Sequence, residues 1–363
     1  MAPVTPPRPV RPVRSGRRAP ALVTAVLAGA GVLALWYVFV TTHTGQVLEA
    51  AAFRGSEYGA SRLWRVAEPV LDVISVPFIA IVLVSAMLVA VVRRRAVLAI
   101  QVAVVTGGAN LTTQLLKHWV LDKPDHGVGD RLVNTLPSGH TTAAASVAAA
   151  LLFVVPRRFR PVTALLGAAY TAATGISTLV GQWHRPSDAV AGVLVVVAWA
   201  GVAAALDVDG RPAVARRSAV RGATLLVLLG GGAVAAAGAL VALARSRADL
   251  LAGDDLDSRL ELLQAYGGGT LGVLAAAAVG FALVLLVVDA AEARWATAGP
   301  GPAAPTASDD GAGPPVAHAR GPWGPVAVAD PVGRPAPASA SDTLPEGGDR
   351  RGPAARGALD ART

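Results

Sequence analysis

Long apolar runs recur along this chain so closely that they dictate its architecture. A helix that crosses a bilayer takes about twenty apolar residues, and on that rule the sequence predicts spans at 20–42, 70–92, 97–120, 138–155, 162–182, 187–207, 223–245 and 271–289. The expected fold is all-α, a polytopic transmembrane helical bundle of about eight spans. Composition agrees, since 53% of residues are hydrophobic and only 15% are charged, against roughly 25% charged in a soluble domain. Valine, alanine, glycine and leucine dominate while aromatics are few. Closely packed helices fit that usage better than a barrel with alternating strands and aromatic girdles. The chain has no cysteine, which excludes disulfides, a thiolate nucleophile and cysteine-based metal sites.

Arg17 and Arg18 precede the first run, as in a signal peptide. The run is too long and no small-residue cleavage site ends it, so it is expected to stay as an anchor. Residues 1–19 and 290–363 are rich in Pro, Gly, Ala and charge, and they are expected to be disordered tails. Between them, 20–207 reads as a six-span core and 208–289 as two additional spans. Alternate loops carry fifteen and ten cations. By the positive-inside rule both termini are expected in the cytoplasm of a multi-pass cell-membrane protein. The candidate site residues then fall on the extracytoplasmic face.

The chain contains only two lysines, Lys117 and Lys123, among thirty arginines, and both lie close to Pro137-Ser138-Gly139-His140. Lysine offers a compact, mobile point charge of the kind that phosphate takes as a partner. Asn110 and Gln114 precede Lys117 by seven and three residues, on one helix face. Pro137-Ser138-Gly139-His140 opens the fourth span, where Ser138 can cap the helix and the Gly139 and His140 amides point unpaired N–H groups outward, an anion-binding arrangement. His184 and Asp188 flank Pro186, which suits a first helical turn. The carboxylate can accept a hydrogen bond from one imidazole nitrogen and leave the other as a nucleophile. Two histidines and a carboxylate could also hold zinc, but the neighbouring lysines favour an anion over a cation.

These residues resemble the three signature motifs of the type 2 phosphatidic acid phosphatase superfamily, over roughly residues 70–207. The second motif, Pro137-Ser138-Gly139-His140, is complete, and the third keeps Ser177, His184 and Asp188 at the family spacing. Two positions depart from the pattern. The first motif usually runs Lys-x6-Arg-Pro, whereas Lys117 is followed by five residues and then Lys123-Pro124. In the third, Ser177 is followed by Thr178 where the family has arginine, and Arg185 or Arg131 is a candidate to supply the missing cation.

The resemblance implies a six-helix phosphatase-like core and a metal-independent phosphatase without cofactor. His184 would be the nucleophile, Asp188 its orienting partner and His140 the general acid and base. Lys117, Lys123, Ser138, Gly139 and Arg185 would bind phosphate. The expected substrate is a lipid phosphate, of phosphatidate or polyprenyl diphosphate type, held at the bilayer, with no nucleic-acid partner. The alternatives are a catalytically weakened membrane scaffold, which the missing arginine favours, and a lipid-linked phosphotransferase. The centres of the eight spans carry no ionisable residue, which counts against proton-coupled transport. Thr171, Thr174 and Thr178 share a face of the fifth span and either line the pocket or pack between helices. Leu256, Leu260 and Leu263 stand at helical spacing, as in an interfacial helix.

Overall fold

The computed structural model of the chain describes residues 18–72, 84, 88, 92, 96–129, 133–206 and 218–293. Residues 1–17, most of the expected second span, Arg131 and the expected tail from residue 294 lie outside the described residues. Everything regular among the described residues is helical. The helices are α1 (Ala19–Val40), α2 (His43–Gly55), α3 (Ala60–Asp72), α4 (Ala96–Val120), α5 (Gly139–Val154), α6 (Arg160–Val180), α7 (Pro186–Ala205), α8 (Ala219–Leu251) and α9 (Arg259–Ala293).

Among the described residues, six stretches are long and apolar enough to cross a membrane: α1, α4, α6 with the short turn before it, α7, α8 and α9. The helix expected to be the fourth span, α5, is only 16 residues, or about 24 Å at 1.5 Å per residue. It is shorter than the hydrocarbon thickness, and other helices surround it. Every residue from Thr141 to Ala150 is buried, and α5 packs on α4, α6 and α7. Conversely, α8 and α9 run 33 and 35 residues, longer than the roughly twenty that a bilayer core takes. Near its start α9 meets α2, where a Cβ on Gly55 would run into the Leu262 carbonyl oxygen.

Helix α7 is the axis of the bundle, in contact with α1, α4, α5 and α9, while α8 lies against α9 at the periphery. Lipid tails are as apolar as leucine, so helices in a bilayer associate through close packing. Gly201 shows how close: a Cβ there would sit 2.5 Å from the Ala21 carbonyl oxygen of α1. Val193, Val196, Phe281, Leu285 and Leu152 fill the space that the small residues leave. Where α6, α8 and α9 meet, Asp289 takes Arg160 at 3.2 Å and Arg221 at 2.6 Å. These charges lie at the ends of their helices remote from the motif residues.

Two expectations change. Leu256 lies in the turn between α8 and α9, whereas Leu260 and Leu263 belong to the start of α9, so the three do not share one interfacial helix. Leu256 adopts φ 52° and is buried beside Leu48 and Leu262, whereas Leu260 is exposed. Among the threonines of α6, Thr171, Thr174 and Thr178 are all fully buried. The hydroxyls of Thr174 and Thr178 bond back to the Tyr170 and Gly175 carbonyls of their own helix, so this face serves helix packing.

Candidate functional site

The site begins with the entry into α5. Asn134 bonds the backbone on both sides of Leu136, donating to its carbonyl at 2.9 Å and accepting from its N–H at 3.1 Å. The Leu136–Pro137 bond is cis. Ser138 then takes extended backbone angles and its Oγ accepts the Thr141 N–H at 3.4 Å and the Thr141 hydroxyl at 3.1 Å. Its own N–H donates to the Asp188 carbonyl at 2.8 Å. The fully buried Ser138 side chain is therefore committed to capping, and the half-buried Gly139 and His140 stand at the open helix start. Gly192 allows α7 to approach this closely, because a Cβ there would lie 3.0 Å from both the Ser138 carbonyl and Thr142 Oγ1.

The second wall is the turn from α6 into α7. Gln182 adopts a left-handed φ of 56°, and the N–H groups of Trp183 and His184 both donate to the Thr178 carbonyl, at 3.0 and 3.3 Å. The chain is thus folded back so that His184 enters the bundle. His184 Nδ1 lies 3.0 Å from Asp188 Oδ2. The same oxygen accepts the Thr135 hydroxyl at 2.7 Å and the Arg185 N–H at 3.0 Å. With Pro186 at the first helical position, Asp188 falls in the first turn of α7, where the helix dipole favours its negative charge. His184 Nε2 makes no hydrogen bond to any described residue. Trp183 stacks on His140 with ring centroids 5.2 Å apart, and Trp64 of α3 meets Trp183 edge-on at 5.8 Å.

The cations close the site. Lys117 sits in a widened turn of α4, Leu116–Val120, within electrostatic range of Asp188 and His140. Asn110 and Thr113 on the same helix bond Ser146 and Thr142 of α5, while Gln114 abuts Gly139. Lys123 lies in the following loop, which Trp36 and Gln46 pin by donating to the Asp122 and Pro124 carbonyls. Burial lowers the Lys123 ammonium below its ordinary range, and the nearby Arg185 charge adds to the effect. Lys123 and Arg185 line a small cavity with Glu49, Thr135, Ser187 and Asp188. The Arg185 guanidinium stands 5.9 Å over the Phe53 ring.

The fold therefore brings Lys117, Gly139, His140, His184, Arg185 and Asp188 to one end of the bundle, with Lys123 on the cavity beside Asp188. Among the described residues no three of His, Asp and Glu converge as a metal-ligand set. Thr135, Trp183 and Glu49 escaped the sequence reading. Nothing around Thr135 marks it. Glu49 carried one available signal, as a single acid between Leu48 and Ala51 behind Thr42, which caps α2.

No curated protein and no solved structure matches this chain. Residues 98–210, which run from α4 past the end of α7 and include every motif residue above, match the PAP2 superfamily. The chain thus carries a PAP2 superfamily domain within a helical protein whose described residues hold six candidate membrane spans.

Proposed function

We propose that this protein is a membrane phosphatase that hydrolyses a lipid phosphate ester through a phosphohistidine on His184. A PAP2 superfamily domain implies a phosphatase of phosphate esters, and the single observation that carries the finer reading is the His184–Asp188 pair. Asp188 holds Nδ1 at 3.0 Å, which fixes the tautomer with its lone pair on Nε2 and steadies the imidazolium that forms on attack.

In the proposed reaction Nε2 of His184 attacks phosphorus and the P–O bond to the lipid alcohol breaks. His140 protonates the departing oxygen, then takes a proton from water as that water attacks the phosphohistidine, and inorganic phosphate leaves. Charge on the non-bridging oxygens is met by Lys117, Lys123, Arg185 and the amides at the start of α5. Ser138 serves as the cap that keeps those amides aimed outward. Arg185, on the shared cavity, takes the place of the cation expected at position 178. No step needs a metal or cofactor.

Lipid is the favoured substrate class because a cationic site at the end of an apolar bundle can hold a headgroup while the chain stays in the bilayer. The arginine distribution supports an extracytoplasmic site with both termini in the cytoplasm. The test is phosphate release from phosphatidate, phosphatidylglycerol phosphate and polyprenyl diphosphate by purified protein in EDTA. Release from at least one, with trapping of a phosphoenzyme that is lost on His184→Ala, is the expected result. Absence of both would make the chain a catalytically weakened scaffold, and transfer to an acceptor lipid in place of water would make it a phosphotransferase.

A further inference from the structure

Glu49 belongs to no phosphatase motif and lies on α2, outside the matched residues 98–210. It is buried, at 5% exposure, yet it makes no ion pair with any described residue. Its two oxygens both go to Ser187, the second residue of α7: the hydroxyl donates at 2.8 Å and the N–H reaches toward it at 3.4 Å. A helix start leaves its first amides without intrahelical partners, and Glu49 supplies one from a different helix. The next residue is Asp188.

We propose that Glu49 is a positioning residue of the phosphate site that works as a neutral carboxylic acid, fixing the first turn of α7 without adding negative charge beside Lys123 and Arg185, which meet the phosphate. The proposal rests on the phosphatase reading above for its purpose, though not for its chemistry. Burial, and after it the charge of Asp188, pushes the Glu49 carboxyl up to about 8. Below that pH the acid keeps its proton. Above it the proton passes to solvent, and the carboxylate competes with phosphate for Lys123 and Arg185 across the shared cavity.

The surroundings leave few rival titrations. Asp188 and Arg185 face Glu49 from α7, Lys123 faces the cavity from the loop after α4, and α1 contributes only Phe39 and Val40. Helices α8 and α9 present Leu243, Leu250 and Leu262 to α2, with Tyr266 packed at Gly55.

The experiment measures binding of inorganic phosphate to the full chain in detergent at pH 7 and pH 9, for wild type, Glu49→Gln and Glu49→Ala. Changes in the phosphate itself and in Lys123 are common to all three and cancel in the comparison. Wild type is expected to lose about tenfold more affinity between the two pH values than Glu49→Gln, because only wild type gains a buried charge. Glu49→Ala should bind weakly at both, with Ser187 left unpartnered. Equal pH dependence in wild type and Glu49→Gln overturns the proposal. Infrared difference spectra give an independent readout: a protonated carboxylic acid band present at pH 7, reduced at pH 9 and missing in Glu49→Gln is expected. Its absence at pH 7 overturns the proposal even if a variant fails to fold. If wild type binds no phosphate at either pH, the phosphatase reading falls, while the infrared titration still decides the state of Glu49.

Discussion

His184 Nδ1 and Asp188 Oδ2 lie 3.0 Å apart across the start of α7, and Thr135 reaches the same carboxylate oxygen at 2.7 Å from a different segment. One oxygen thus collects the imidazole, a hydroxyl and the Arg185 amide. The arrangement orients the ring and anchors the carboxylate that orients it. Its energetic consequences grade by distance from the reacting atom.

His184→Ala is expected to reduce phosphate release by about a thousandfold or more, since the covalent path is lost. Asp188→Asn leaves the nucleophile but lets the ring take the wrong tautomer, so a loss nearer a hundredfold is expected. Thr135→Ala removes one of three donors and should cost about tenfold or less. Initial rates on one lipid phosphate in EDTA, with folding checked by thermal melting, test the order. A Thr135→Ala variant as inactive as His184→Ala would break it.

Position 178 separates compensation from decay. Thr178 is fully buried and its hydroxyl bonds Gly175 at 2.7 Å, so Thr178→Arg should destabilise the protein by about 3 kcal/mol or more through overpacking and an unpaired buried charge. Restoring the family residue is therefore expected to harm, not help. Arg185→Ala should lose at least tenfold in phosphate affinity, in line with about 1.5 kcal/mol or more for a charge-assisted hydrogen bond. A silent Arg185→Ala would leave the missing cation without a replacement.

Protonation of Glu49 also bears on stability. Its carboxyl is raised in the folded state, from 4.5 to about 8, so the folded protein holds this proton where the unfolded chain has lost it. The associated stability is full below pH 4.5, falls steadily between pH 4.5 and about 8, and is gone above that. Melting temperatures of wild type and Glu49→Gln should therefore run parallel below pH 4.5, diverge between pH 4.5 and about 8 as wild type loses stability relative to Glu49→Gln, and run parallel again above that. A constant difference across that range would mean that Glu49 does not titrate there.

Orientation has its own measurement. Cysteines placed singly at Trp183 and Arg158, in a chain that has none of its own, should react with an impermeant thiol reagent on intact cells at 183 and not at 158. The reverse pattern would put the site on the cytoplasmic face.

The sequence by itself determined the class of fold and pointed to several of the residues that the fold brings to one end of the bundle. Apolar runs of about twenty residues leave helices as the available way to satisfy the backbone in lipid, and helix starts at Ser138 and Pro186 follow from local capping chemistry. The pairing of His184 with Asp188 was legible for the same reason, because four residues in a first turn are neighbours whatever the rest of the chain does. What the tertiary structure alone decided involves residues far apart in sequence. Thr135 reaches Asp188, Glu49 reaches Ser187 across 138 positions, and the Ser138 N–H donates to the Asp188 carbonyl. Hydropathy also leaves the surroundings of α5 open, since a run of buried alanine and valine reads the same whether lipid or other helices surround it. Only the packing of α4, α6 and α7 around that run distinguishes the two, and packing of distant segments leaves no periodic mark on the sequence of any one of them.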